Sequence, residues 1–574
     1  MAKKVILSAL LVAILLAALL APRMFGITKF TTGDEPAWLI FSHNFLHAID
    51  KGQFERTVYE YHPAVTTMWA ISTAILSYFP QYTQIRHGYI DKFWELDEIY
   101  ARYGKELSTV LYRSRVINVL LISFFLILSF AFLWRLLGLA MAVTATLLIS
   151  FDPFYLGQSR LLNHEGMACA FALAAILAIL IYLYLGRKLL YLLISAVACG
   201  LALLTKSPMI LLIPLAGLMF LVNLIEERRT TSNWRRDIWR SIAGYLAWLG
   251  VLALVYFLLW PGMWVQPGKM LYEIYANAFS YAFQGQRLQV TQQVVVKPLE
   301  FSFSELGYFL VAILYKTTPV VWVGAVLSLV GLFTRSRTSL AKFAKLVVIY
   351  LAVLALLFIL LFGIAEGRNS MHYILIVFVC MDVMAGIGYV WGVRLLAGKI
   401  SWLGKPAAQA SILAVIILLQ GLSTLPDYPY YYTYTNPLMQ VIQPGTQDPA
   451  AGYGEGLELA AAYLAQKPAS ENLVVSSHMG VGPFSYYFPG TSHPLMYSGM
   501  EYLNDRSAQW VNESDYLVIY DIQQRPINLP SGLLDALAGV TPEHTISVNG
   551  LHYASIYKVS ELPERVFDSL LPPD

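Results

Sequence analysis

Long apolar runs recur down this chain, and they leave few choices for its fold. Stretches near 6–22, 111–134, 139–156, 166–185, 189–205, 208–224, 241–260, 310–333, 344–362, 372–393 and 407–424 carry almost no charge. An apolar run of roughly 18 residues is long enough to cross a bilayer as a helix. The pattern therefore predicts roughly eleven transmembrane helices. Only 13% of the 574 residues are charged and 57% are hydrophobic, against about 25% charged in an ordinary soluble domain. With a mean hydropathy of +0.57, a single aqueous globule is excluded. The expected class is a polytopic α-helical membrane protein.

Cysteine and net charge add little. Cys169, Cys199 and Cys380 all lie in apolar runs, where a free Cys behaves as a small hydrophobe. Neither a disulfide framework nor a Cys-based metal site is indicated. A net charge of +3 is too small to imply nucleic acid. The placement of the basic residues says more. Lys3 and Lys4 precede the first run; Arg228, Arg229, Arg235, Arg236 and Arg240 mark the 225–240 loop; Arg335, Arg337, Lys342 and Lys345 mark 334–346; Arg394, Lys399 and Lys405 mark 394–405. By the positive-inside rule these loops and the N-terminus are cytoplasmic. The opposite side then receives 23–110, 157–165, the turn at Lys206, 261–309, 363–371 and everything after 425. The first run is long for a signal peptide and no small-x-small cleavage site follows, so it reads as an uncleaved anchor.

The chain divides into 1–425, which carries the membrane spans, and 426–574, expected to be an extracytoplasmic soluble α/β domain. After 425 the passage PDYPYYYTYTNPL suits a membrane interface. Beyond it, LELAAAYLAQ has helical spacing, while ENLVVSS, SDYLVIYD, HTISVNG and YASIYKV read as strands. Within the large external loop 23–110, AVTTMWAISTAILSYF is too short for a confident span. Counting it as one would place Asp91, Glu95, Asp97 and Glu98 in the cytoplasm and invert every later loop. It reads as an amphipathic helix in or on the outer leaflet.

Ionisable residues at membrane edges are costly and usually functional. On the external side they are Asp34 and Glu35 in GDEPAW, His62, Arg160, His164, Glu165, Lys206, Lys316, Arg368 and His372. A carboxylate there can take a proton from a hydroxyl, and Arg or Lys can hold a phosphate. Each has a structural alternative. Arg160, Lys206 and Arg368 can anchor to lipid headgroups, Lys316 lies deeper in its run, and His62 and His372 can be satisfied interface histidines. Asp34 and Glu35 can cap the helix entered at Pro36. Asp152, before Pro153, reads as a helix boundary rather than a catalyst.

Taken in order, GDEPAW (33–38), HPAVTTMW (62–69), SRLLNHEGM (159–167), GLALLTKSPMILLIPL (200–215), WPGMW (260–264), YKTTPVVWVG (315–324) and EGRNSMHY (366–373) resemble the GT-C glycosyltransferases. Family 39, with the protein O-mannosyltransferases and the aminoarabinose transferases of lipid A, is the most similar. PYYYTYTNPL, GYGEGLELAAAYL and VGPFSYYFPG resemble the external tail of a prokaryotic subgroup. The resemblance covers the whole chain and implies a GT-C fold of roughly 11–13 spans. It also implies that Asp34 is the catalytic base with Glu35 as partner, and that Arg160, Lys206 and Arg368 approach a polyprenyl phosphate. His62, His164, Glu165, His372 and Lys316 would line the substrate cavity. Two positions depart from the pattern. Glu165, beside His164, stands where relatives commonly carry Asp, and His62 stands where aminoarabinose transferases have a basic residue. His and Glu are ligand types for a divalent metal, although such clusters are more often hydrogen-bonding networks.

The function this implies is inverting transfer of a sugar from a polyprenyl-phosphate donor to a lipid, glycan or protein hydroxyl at the extracytoplasmic face of the plasma membrane. No nucleotide-binding motif is present, and no cofactor is expected beyond that metal. The rival class is a transporter or lipid flippase. Such proteins place ionisable groups at the bilayer midplane and often carry inverted repeats; here the charges gather at one face.

Overall fold

A computed structural model describes residues 2–85, 87–228, 233–283, 303–334, 339–365, 370–442, 452–495, 504–522, 529 and 532–570. Among them, seven helices are long and apolar enough to cross a membrane: Leu107–Leu137, Glu165–Tyr184, Ser207–Arg228, Trp234–Leu259, Lys342–Gly363, Met371–Ala397 and Pro406–Asp427. Ala9–Met24 and Leu189–Thr205 are shorter apolar helices. The chain is a multi-pass membrane protein.

Two runs expected as continuous spans are broken. Leu139–Ser150 and Pro153–Ser159 meet at 66°, and Glu305–Lys316 and Pro319–Phe333 at 115°. Both breaks precede a proline. Proline has no N–H to continue the helical ladder and disfavours helical geometry in the residue before it. Asp152 Oδ1 caps the first restart, accepting from Tyr155 N at 2.6 Å. Thr318 Oγ1 caps the second, accepting from Val321 N at 3.2 Å.

The chain forms two compact units: 1–25, 41–86 and 114–449 in one, and 26–40, 87–113 and 450–574 in the other. Burial orders the helices of the first. In Glu165–Tyr184 the whole apolar window is buried, and in Met371–Ala397 89% of it is. In Trp234–Leu259 the share is 22% and in Pro406–Asp427 17%. Helices apolar all round belong in an interior. The two little-buried helices present Leu254, Leu258, Leu418 and Leu422 outward, as lipid-facing surfaces do. Val65–Tyr78, expected as an interfacial helix, packs Val65, Met68, Ile71 and Ile75 inward. It is held to its neighbours by Thr66–Thr205 hydroxyls at 2.6 Å and by Trp69 Nε1 donating to Leu259 O at 2.8 Å.

In the second unit, β1 (Val474–Ser477), β2 (Thr491–Pro494), β3 (Tyr516–Tyr520), β4 (His544–Val548) and β5 (Leu551–Lys558) form a mixed sheet of order β2-β1-β3-β5-β4. Strands β2 and β3 flank β1 in parallel, while β5 runs antiparallel to both β3 and β4. All five residues of β3 are buried, as a central strand covered on both faces requires. Asn549 and Gly550, at φ +49° and +81°, make the two-residue turn between β4 and β5. Such turns need positive φ at both positions and favour Asn-Gly. The helix expected in LELAAAYLAQ is Leu457–Ala465. Strand β2 escapes the sequence because TSHP has no apolar alternation.

At Gly386 and Gly388 close helix contact in the first unit depends on glycine. A Cβ at Gly386 would lie 2.6 Å from the Ala145 backbone, and one at Gly388 would collide with the carbonyl of Gly324. Gly392, one turn on, meets only the Leu327 side chain at 3.6 Å. Small residues let apolar helices approach where no hydrophobic gradient drives them together. Gly388→Ala is therefore expected to cost about 3 kcal/mol and to lower the thermal midpoint in detergent, followed by fluorescence-detected size exclusion. Gly392→Ala is expected to leave that midpoint within a degree or two or to raise it.

Candidate functional site

In the first unit the chemistry gathers around one buried carboxylate. Glu165 opens the helix Glu165–Tyr184, where the positive end of the helix dipole favours an anion. Its Oε1 lies 3.0 Å from Lys206 Nζ, 3.2 Å from His164 Nε2 and 3.9 Å from His372 Nε2. Lys206 occupies the step between Leu189–Thr205 and the 3-10 turn Ser207–Leu211, and its ammonium sits 5.2 Å from the Tyr373 ring centroid. His62 Nδ1 is 2.9 Å from Ser207 Oγ, and its ring is 4.9 Å from that of His164. Glu165, His164, Lys206 and His62 are all buried. Five residues read from four separate segments of sequence thus form one network. Tyr373 and Ser207, which also belong to it, were not singled out, although each adjoins a residue that was.

Two other expected site residues do different work. Arg160 donates from Nη1 to Pro429 O at 2.7 Å and from Nη2 to Phe25 O, with Tyr431 beneath its guanidinium. Lys316 ends the helix Ser304–Lys316 and donates to Tyr432 O at 3.0 Å and Tyr434 O at 3.3 Å. Both pin the Tyr-rich passage expected at a membrane interface. Arg368 lies outside the described residues. Among the described residues, no group of three or more His, Cys, Asp or Glu side chains is placed to hold a metal ion; the Glu165 oxygen nearest His164 is engaged by Lys206.

Asp34 and Glu35 belong to the second unit. Asp34 is the N-cap residue of the helix Glu35–Asp50, its carbonyl accepting from Trp38 N at 3.3 Å. Its half-buried carboxylate accepts a hydrogen bond at Oδ2 from the Tyr453 hydroxyl. Glu35 is fully buried; its Oε2 accepts from Thr32 N at 2.8 Å and from Thr32 Oγ1 at 3.0 Å. These bonds close the turn that precedes the helix. The two carboxylates point to different tasks, one shaping the turn and the other half-exposed. Tyr453 was not singled out; the signal for it is the run of alternate glycines in GYGEG, which marks unusual backbone.

Asp97, in the helix Phe93–Arg102, lies in the same unit within electrostatic range of Tyr486, as does Glu35. Burial raises the Asp97 carboxyl from its ordinary 3.8 to about 7. The folded form keeps its proton to higher pH than the unfolded form.

Residues 104–260 match the family described as dolichyl-phosphate-mannose-protein mannosyltransferase. This segment holds two of the motifs noted in the sequence, 159–167 and 200–215, and contains Arg160, His164, Glu165 and Lys206. Among solved structures, the chain is similar to ArnT from Cupriavidus metallidurans bound to undecaprenyl phosphate, at 14% identity and a TM-score of 0.49, covering 98% of this chain and 99% of that one. The apo form of the same protein gives 15% identity and a TM-score of 0.47, covering 99% and 100%. The Archaeoglobus fulgidus oligosaccharyltransferase gives 12% identity and a TM-score of 0.40, covering 89% of this chain and 69% of that one. No curated protein matches the chain.

Glu165→Gln or Lys206→Met alone strands a buried charge and is expected to cost about 3 kcal/mol. The double variant recovers much of that loss, giving a coupling of about 2 kcal/mol in a thermal-unfolding double-mutant cycle. Asp97→Asn is expected to act only at high pH. A raised folded-state value means that stability is full below the unfolded value near 4 and is lost as pH rises through about 7. Thermal unfolding should show Asp97→Asn unchanged at acid pH and stabilised by about 1 kcal/mol above neutrality, the full shift being reduced by partial exposure.

Proposed function

We propose that this chain, a multi-pass membrane protein with a mannosyltransferase-family segment at 104–260, moves a sugar from a polyprenyl-phosphate-linked donor to an acceptor hydroxyl, with inversion. The observation that carries the reading is the content of the matched segment. Glu165 and Lys206 form a buried ion pair inside it, with the His164 ring against the same carboxylate oxygen. Burying an ion pair in an apolar interior is costly and rarely repaid in stability, so a chemical role is the economical explanation. The basic loops favour a cytoplasmic N-terminus and an extracytoplasmic reaction.

In this reading Asp34 takes the proton of the acceptor hydroxyl as its oxygen attacks the anomeric carbon. The new glycosidic bond forms on the face opposite the phosphate, and the anomeric carbon–oxygen bond breaks with its electron pair leaving on the polyprenyl phosphate. Attack from the opposite face inverts the configuration. Lys206 and Arg368 stabilise the departing phosphate. Lys206 suits this role because an ammonium carries three donors and one of them meets Glu165. Arg160 holds the chain in place, since two of its nitrogens are committed to backbone carbonyls. Glu35 supports Asp34 by fixing the turn ahead of the helix.

The test is transfer in membranes of a deletion strain that supply the acceptor, given undecaprenyl phosphate bearing a radiolabelled hexose or aminopentose. Wild-type protein should move the label from donor to a surface product. Asp34→Asn should reduce the rate by about 10³-fold, within the usual range for loss of a general base, while the protein stays folded and membrane-inserted. Full activity of Asp34→Asn would remove the proposed base.

A further inference from the structure

Asp34 stands in a loop that the C-terminal part of its unit grips from three sides. Gly452, Gly454 and Gly456 have φ values of +91°, +114° and +93°, so the run GYGEG alternates left-handed glycines with Tyr453 and Glu455. That backbone lies directly on residues 31–33. Gly33 N donates to Tyr453 O at 3.1 Å, and a Cβ at Gly454 would sit 2.9 Å from Thr31 O. Only glycine adopts such a φ and leaves that space. The run is itself tied down: Gly454 N donates to Tyr520 Oη at 3.0 Å, and Tyr453 N to Glu455 Oε2 at 2.7 Å. From a second side, the Tyr487 and Thr31 hydroxyls are 3.0 Å apart. From a third, Gly482 abuts Pro36 and Met479 abuts Gly33.

The outcome of this clasp is the hydroxyl of Tyr453 donating to Asp34 Oδ2. We infer that Tyr453 is a positioning residue for transfer. Its phenol fixes one oxygen of the Asp34 carboxylate. The inference rests on the reading of Asp34 as the base. It gives the C-terminal residues a part in the reaction beyond covering the fold. A base held by a hydrogen bond loses fewer orientations on reaching the transition state, and a donor to the carboxylate favours its ionised form. Titratable groups brought to this loop are Glu35, Tyr453, Glu455, Tyr487 and Tyr520. Of these, Tyr453 donates to the Asp34 carboxylate, whereas the Glu35 carboxylate turns back to Thr32.

Tyr453→Phe removes the hydroxyl and keeps the ring and the backbone clasp. In the radiolabel assay with full-length protein, kcat is expected to fall about tenfold, with KM for the polyprenyl-phosphate donor unchanged. The acidic limb of the pH–rate profile is expected to move to higher pH. Replacing Tyr453 by 3,5-difluorotyrosine, a stronger donor of the same shape, should move that limb the other way; this arm stands even if the Phe variant folds poorly. An unshifted limb with either replacement, in protein whose thermal midpoint matches wild type, overturns the positioning role. If Asp34→Asn keeps full activity, the base assignment fails with it. If Asp34→Asn is inactive and both Tyr453 replacements keep the wild-type profile, only the inference about Tyr453 fails.

Discussion

Backbone that leaves a helix inside an apolar interior exposes N–H and C=O groups that hydrocarbon cannot satisfy, and each one unpaired costs several kcal/mol. The helical unit breaks helices in that setting, and its polar residues are distributed accordingly. At the 66° break, Asp152 caps the restart, while the Phe151 carbonyl accepts from Gln420 Nε2 at 3.0 Å and Thr424 Oγ1 at 2.6 Å. At the 115° break, Thr318 caps the restart and donates to Gln420 Oε1 at 2.6 Å. Asn436 Nδ2 closes the carbonyls of Leu314 and Thr317, each at 3.0 Å. A single amide, Gln420, therefore serves both breaks from a helix that is otherwise apolar and mostly exposed. The bends persist because each is paired by side chains remote in sequence.

That division of labour sorts the edge-of-membrane charges. Lys316 and Arg160 fill carbonyls of the 428–434 passage, so their conspicuous position in the sequence reflects backbone pairing. Glu165 and Lys206 face each other and histidines, with ring nitrogens close by. The first pair resembles mortar. The second has the makings of chemistry, since ionisable groups in contact can exchange protons and partners without orphaning any backbone.

The membrane spans were legible because periodicity and run length are local properties, and each expected apolar run coincides with a helix or a bent pair. The bends were hidden although Asp152-Pro153 and Thr318-Pro319 were in view, because an apolar run reads the same whether straight or folded. Strands β1, β3, β4 and β5 announced themselves by apolar content, whereas β2 holds its place through pairing with β1, through Ser492 Oγ donating to Gly480 O and through His493 stacked on Trp510. For the site, residue type and position at helix ends sufficed to gather His62, His164, Glu165, Lys206 and His372. The partners of Arg160 and Lys316 lie 269 and 116 residues away, and that of Asp34 lies 419 away. No local pattern encodes a pairing over such separations.

The difference between the two buried cations bears on which of them can meet a phosphate. If Arg160 turned toward an incoming anion, the carbonyls of Pro429 and Phe25 would each lose a charge-assisted hydrogen bond in a dry setting, where the loss is not made good by water. If Lys206 turned, Glu165 would keep His164 at 3.2 Å and His372 at 3.9 Å. That exchange gives up the Lys206–Glu165 contact, at the cost of a stranded buried carboxylate, but orphans no backbone carbonyl. The ammonium, a point charge on a flexible stem, also has no plane to realign. Lys206 can therefore meet an anion without breaking backbone pairing, which an arginine bound to two carbonyls cannot.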